Sequence, residues 1–251
     1  MPSRPSPTEV RGGAPSTPSA RRAFVDLHVH TSASFDSIAS PESVVKAAAG
    51  RGLTHLAITD HDRIDGAIEA REFARKHAPD LTIIVGQEIK TRDGDLIGVF
   101  LDEAIPSGLS PADAIAAVRA QGGLIGIPHP FDRFRGSLLE DNVMAAVAPL
   151  VDWVEIHNAR IMVGNGNERA ATFAATNAMR GVAVSDAHSA MEIGVAYVVL
   201  EGDPSSPAGL LAALPGMELV SGRATFFVRA VTPLAKLVQM IRGNGRKASA
   251  R

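Results

Sequence analysis

The chain contains no cysteine, which excludes disulfides, thiolate nucleophiles and thiolate-held metals together. Aromatic residues are scarce: 4% of 251 residues, with one Trp and one Tyr. So few rings give little support for a surface that stacks successive bases. Neither sign of charge dominates, because 25 Lys and Arg face 27 Asp and Glu, for a net charge of −2. There is then no overall drive toward nucleic acid or an anionic membrane, and phosphate recognition has to be local. No apolar run approaches the ~20 residues that span a bilayer, and the N-terminus lacks the apolar core of a secretory signal. The expectation is a cytoplasmic protein without a membrane partner.

What is present is an ordinary globular balance, 45% hydrophobic and 21% charged, in a chain long enough to bury a substantial core. Residues 1–22 are rich in Pro, Ser, Gly and Arg with almost no large apolar side chains. They cannot bury enough surface to offset their ordering entropy and are expected to be a disordered tail. Residues 243–251 read as a short, solvated basic tail. One folded domain is expected over residues 23–242.

The chain is organised around Asp26-Leu27-His28-Val29-His30-Thr31. Val25, Leu27 and Val29 alternate with Asp26, His28 and His30, the period of a strand, which places the three polar side chains on one face. Two imidazoles and a carboxylate are costly to bury unless something pairs with them. Imidazole with carboxylate suits zinc, manganese or iron. The plain alternative is a polar edge strand carrying unrelated histidines.

Downstream, Thr31 to Ser40 reads as a polar loop holding Asp36, and Ser40-Pro41 opens a helix to about Arg51 with Gly52 as its stop. Strands are expected at Leu53–Thr59, Leu81–Val85, Leu96–Leu101, Leu124–Ile127, Val151–Ile156, Val182–Val184 and Val195–Leu200. Helices are expected over Gly66–Ala78, with Ile68, Phe73 and Ala74 on the buried side, and from Ser110 through Ala120. Others are expected over Glu168–Met179, near Leu210 and over Pro233–Ile241. Alternating strands and helices imply parallel βαβ units, without deciding between a closed barrel and an open sheet. His28, His61, Glu88, His129, His157 and Asp186 fall at or just after the carboxyl ends of strands, the edge where α/β folds build sites. Five of the eight histidines (His28, His30, His61, His129 and His188) sit there beside carboxylates. His55 lies within a strand and His77 late in a helix, and both read as structural.

The motifs Asp26-Leu27-His28-Val29-His30-Thr31, Thr59-Asp60-His61-Asp62, Glu88, Pro128-His129-Pro130 and Ser185-Asp186-Ala187-His188, in that order, resemble those of the PHP (polymerase and histidinol phosphatase) family. The likeness covers about Phe24 to Leu200 and is to its small stand-alone phosphoesterases. The resemblance implies a distorted (βα)7 barrel with two to three divalent ions. It implies that His28, His30, Glu88 and Asp186 hold one ion, that Glu88 bridges to a second shared with His129, and that Asp36, His61 and His188 hold the third. Glu88 and Asp186 would also support the catalytic hydroxide.

One departure stands out: the histidine that many relatives carry between the bridging glutamate and the His-Pro motif is missing, and Asp95 falls at that point. A carboxylate can replace an imidazole on a hard divalent ion; equally, Asp95 could cap the turn after Gly94. Asp26 and Asp60 suit partners that orient a ligand imidazole. His157, sharing a strand face with Glu155, is open between ligand, general acid and structural contact. Arg133, Arg135 and Arg160 follow strand ends, and Arg135 and Arg160 are the candidates for binding a phosphate.

The expected activity is metal-dependent hydrolysis of a small phosphate ester, a nucleotide or an oligonucleotide end by a hydroxide formed at the metals. The rivals are an exonuclease acting on nucleic acid and a non-catalytic scaffold. Filled ligand positions argue against the scaffold, and the near-neutral charge argues against the exonuclease.

Overall fold

In the computed structural model, which describes residues 21–132, 141–224 and 226–244, short apolar segments between turns become the strands of one sheet. The elements run β1 (Arg22–Val29), α1 (Pro41–Gly50), β2 (His55–Ile58), α2 (Asp65–His77), β3 (Thr82–Lys90), β4 (Asp95–Val99), α3 (Pro111–Ala120), β5 (Leu124–Ile127) and α4 (Asp141–Val147). A 3-10 turn at Ala148–Leu150 follows, then β6 (Trp153–Asn158), α5 (Gly166–Thr176), β7 (Gly181–Val184), β8 (Ala196–Glu201), α6 (Pro207–Ala213), β9 (Glu218–Ser221) and α7 (Phe226–Ile241). Ser40 and Ser110 open α1 and α3 as read from the sequence. Each hydroxyl accepts the backbone N–H three residues on, and each is followed by Pro at the first helical position.

The strand order is β7-β6-β5-β4-β3-β2-β1-β8-β9. The segment after β7 returns to β1 through a parallel bridge between Val29 and Ala187, with the His30 N–H donating to the Ala187 carbonyl at 2.8 Å. Strands β1 to β7 thereby form a nearly closed barrel, and β8 and β9 extend the sheet beyond β1. Val25, Leu27, Ala57, Ile84, Ile97, Trp153, Val182 and Val184 belong to one buried cluster, inside the barrel. Leu56, Ile58, Ile83 and Val85 pack outward against Val44, Ala70, Ala74 and Val118 of the helices. This is the layering of an α/β barrel.

Four expectations need correction. The sheet is mixed, because β4 runs antiparallel to both β3 and β5, and β8 runs antiparallel to β1 and β9. The β3–β4 hairpin extends β3 to Lys90, so Glu88 lies inside a strand rather than at its end. In α2 the buried residues are Gly66, Ala67, Ala70 and Ala74, while Ile68 is 36% exposed; small residues let this helix press onto the sheet and turn Ile68 outward. Finally, α4, the 3-10 turn and β9 lack a strong apolar period and were not anticipated. Residues 1–20 and 245–251, which hold most of the expected tails, lie outside the described residues, as do Arg133 and Arg135.

A candidate metal centre

Two irregular strands set the site. In β1 the register shifts between Asp26 and Val29, so Val25 and Leu27 join the inner cluster while Val29 pairs with Ile58 in the outer one. A bulge of this kind re-aims side chains. His28 and His30 consequently meet at the mouth, with Nε2 atoms 2.9 Å apart, while Asp26 turns away and accepts the backbone N–H of Ser185 at 3.1 Å. Asp26 therefore holds the β7 turn instead of an imidazole, and burial, outweighing its hydrogen bonds with Ser185, pushes its carboxyl up to about 7. In β6 a second shift, between Glu155 and His157, separates two residues expected on one face. Glu155 faces the site, and His157 Nε2 instead meets the Gly222 carbonyl at 2.7 Å.

The remaining candidates arrive from strand ends and turns. His129 and Asp186 both have positive φ (27° and 52°), a strained backbone that recurs at functional sites. Asp95 opens β4, and because β4 is antiparallel its first residue lies at the same rim as the carboxyl ends of the parallel strands. The turn before it is closed by Thr91, whose N–H and hydroxyl both donate to the Gly94 carbonyl. All nine proposed ligands, His28, His30, Asp36, His61, Glu88, Asp95, His129, Asp186 and His188, are buried. Their ligand atoms gather within 4.8 Å in four overlapping groups: His30, Asp36, His61 and His188; His28, His30 and Asp186; His28, Glu88 and His129; His61, Glu88 and Asp95. The structure brings Asp95 to His61 and Glu88.

Outer partners fix which imidazole nitrogen faces inward. His28 Nδ1 donates to Glu155 Oε1 at 2.6 Å. The Ser34 hydroxyl donates to Asp60 Oδ1 at 2.9 Å and so accepts from His30 Nδ1 at 3.0 Å. His188 Nδ1 donates to the Asp186 carbonyl at 2.8 Å. When neutral, each of these three rings presents a bare Nε2 to the cluster. Two such lone pairs 2.9 Å apart on His28 and His30, and His188 Nε2 at 3.2 Å from Asp36 Oδ2, repel unless a cation lies among them. Glu88 Oε2 lies 3.2–3.4 Å from nitrogens of His28, His30 and His61 at once. These donors fit divalent cations.

The electrostatics agree. Burial lowers the basicity of His30, but hydrogen bonds with Asp186 and Glu88 outweigh it and raise its pKa to about 9. His28 is likewise raised, by Glu155 and Asp186 against burial. Burial, aided by Arg160, drops His188 to about 3 and keeps it neutral. His28 and His30 therefore hold a proton tightly in the metal-free protein, at positions a metal ion can take over.

Around this set stand residues to which the sequence assigned no firm role. Glu155 Oε2 accepts both the His129 N–H and Asn158 Nδ2, each at 2.9 Å, and Asn158 Nδ2 also reaches Asp186 Oδ2 at 2.9 Å. Asn158 ends β6 beside Glu155, and that adjacency was the signal available. Asp60, as expected of an orienting partner, accepts from the Thr31 N–H and hydroxyl and, through Ser34, steadies His30. Arg160 is buried beside His188, with its guanidinium donating to Thr232 Oγ1 at 2.5 Å and lying 3.7 Å from Glu192. His55 is remote from the centre, between Thr54 and Ser205, and His77 stacks on Phe73 in α2, both structural as read.

Comparison with known proteins places this arrangement among relatives. The model of the PHP domain matches residues 26–148, and that of the PHP-associated region matches residues 164–215. An uncharacterized protein of Methanocaldococcus jannaschii is 36% identical over 177 residues, covering 69% of this chain and 69% of that protein. A 5′-3′ exoribonuclease of Haemophilus influenzae is 33% identical over 119 residues, 43% of this chain and 42% of the enzyme. Among solved structures, a two-domain protein of Bacteroides vulgatus containing a predicted PHP-like metal-dependent phosphoesterase superposes with a TM-score of 0.68 at 17% identity, over 86% of this chain and 70% of that one.

Proposed function

Starting from the premise that this chain belongs to the PHP family, we propose that it hydrolyses a phosphate ester, with a small ester, a nucleotide or an oligonucleotide end as substrate. The observation that carries this reading is the convergence of the inward-facing Nε2 atoms of His28, His30 and His188 among buried carboxylates. His28, His30 and Asp186 would hold one ion, Glu88 with His28 and His129 a second, and Asp36, His61 and His188 with His30 a third, with Asp95 joining through His61 and Glu88. Zinc, manganese or iron would suit these donors. Such ions supply a nucleophilic water near neutral pH and offset the charge gathering on phosphoryl oxygens. Glu155, Asn158, Ser34 and Asp60 keep the ligands aimed, so little reorganisation accompanies reaction. Arg160, beside His188, would position a substrate phosphate. The exoribonuclease relative favours a second reading, exonucleolytic action on nucleic acid.

The test is elemental analysis and phosphate release by the full chain reconstituted with each metal, across phosphomonoesters, diesters, nucleotides and short oligonucleotides. Two to three ions per chain and metal-dependent turnover of one class are expected. Less than one ion per chain after reconstitution, with no turnover of any class, would overturn the reading. In the same titration, Asp95→Ala should lower metal content if Asp95 is a ligand and leave it full if it only shapes the turn.

A further inference from the structure

We infer that the groove between the Phe131 turn and the first turns of α5 receives the base of a nucleotide whose phosphate lies at the metal centre; this rests on the phosphoesterase reading above. The groove has a volume of about 380 Å³ and is lined by Phe131, Asn165, Glu168, Arg169, Thr172 and Phe173, a size within the range of small-molecule sites. Its floor is built for a flat π system. The Arg169 guanidinium lies 4.3 Å from the Phe131 ring centroid, and Phe173 meets Phe131 edge-on at 6.1 Å and 72°. A stack of arginine on phenylalanine presents a planar, polarisable surface of the kind on which nucleobases stack. Asn165, Glu168 and Thr172, on the exposed side of the helix, bring an amide, a carboxylate and a hydroxyl, between them donors and acceptors for a base edge.

Position ties this groove to the chemistry. Phe131 is two residues beyond His129, in a turn closed by the Asp132 N–H on the His129 carbonyl at 3.1 Å. Two residues extend at most roughly 7 Å, so the Phe131 backbone stays close to that of His129. The opposite wall is fixed to the centre as well, since Asn167 of α5 accepts the Asn158 N–H at 3.0 Å and Asn158 bonds Asp186. Gly166 permits the close approach, because a Cβ there would stand 3.1 Å from the Phe131 carbonyl. Among the described residues, Phe35 offers no comparable floor: it packs on His61 at 4.7 Å and lies under Lys236 at 5.5 Å.

Stacking of one base on an aromatic ring is worth roughly 5- to 150-fold in affinity. The experiment compares kcat/KM for adenosine 5′-monophosphate and glycerol phosphate in the parent, Phe131→Leu and Arg169→Ala chains, with calorimetric binding of adenosine alone as a readout that needs no turnover. Phe131→Leu keeps apolar packing and removes the ring face, so folding is retained. The parent should prefer the nucleotide, both variants should reduce that preference about tenfold or more, and adenosine binding should weaken in parallel. Equal losses on both substrates would overturn the subsite while leaving the phosphoesterase intact. A parent preference for glycerol phosphate over the nucleotide would also overturn it. Absence of turnover on every ester, with adenosine still bound in a Phe131-dependent way, would instead count against the phosphoesterase reading alone.

Discussion

Glu155→Gln is the substitution that most directly tests whether the outer hydrogen bonds prepare His28 for a metal. The side chain is the same size and stays buried, so packing is preserved and only charge and hydrogen-bond polarity change. Glu155 Oε2 accepts two N–H groups, from His129 and from Asn158. An amide nitrogen cannot stand opposite two donors, so the glutamine carbonyl has to take that side. Its NH2 then faces His28 Nδ1 across the present 2.6 Å contact and makes Nδ1 an acceptor. The ring proton moves to Nε2, the atom that faces His30 and Glu88. His28 belongs to two of the four ligand groups, so one inverted ring weakens both. Loss of an outer partner typically weakens a metal site ~10–100-fold, about 1.4–2.7 kcal/mol, and inversion of the ring should bring the loss to the upper end or past it. Chelator competition with zinc and manganese on parent and variant gives the ratio directly, with circular dichroism of the metal-free proteins as the control for folding. Affinities within twofold of the parent, on a folded variant, would refute the argument that Glu155 sets the His28 tautomer.

Gly66→Ala is expected to destabilise although Ala is the better helix former by about 1 kcal/mol. Its Cβ would lie 2.3 Å from Asp60 Oδ2 and 2.4 Å from Thr31 Oγ1, and the overpacking with a disturbed charged hydrogen bond should outweigh propensity by ~2–4 kcal/mol. A melting temperature at or above that of the parent would show that the site loop yields freely. His55 supplies a pH prediction: burial lowers its folded pKa below the unfolded value near 6.5, with Arg21 adding to the shift and Asp203 opposing it. On acidification below about 6.5 the unfolded chain takes up the proton more readily, so stability falls with pH. Urea midpoints at pH 7.5 and 5.5 should fall further for the parent than for His55→Gln; equal falls would remove His55 from the account.

The sequence by itself determined the ingredients. Apolar runs of four to eight residues, Ser-Pro helix starts and glycine stops gave most strands and helices, because these are local preferences of the backbone. It also placed His28, His61, Glu88, His129 and Asp186 at one rim, since a His, Asp or Glu at the end of an apolar strand is delivered there whatever closes the sheet, and the resemblance to the PHP family supplied the remaining ligand candidates. Three things depended on the tertiary structure. Strand direction was one: the hairpin that turns β4 antiparallel brings Asp95 to His61 and Glu88, and pairing partners far apart in sequence leave no local trace. The register shifts in β1 and β6 were another, taking Asp26 and His157 off the faces that strict alternation assigns. A bulge answers to the strand alongside, and each of these strands alone still reads as regular. The last was the orienting shell of Glu155, Asn158, Ser34 and Asp60. A serine or glutamate in a sequence carries no mark of the imidazole it will hold, and only the closing of the barrel brings them within hydrogen-bonding distance.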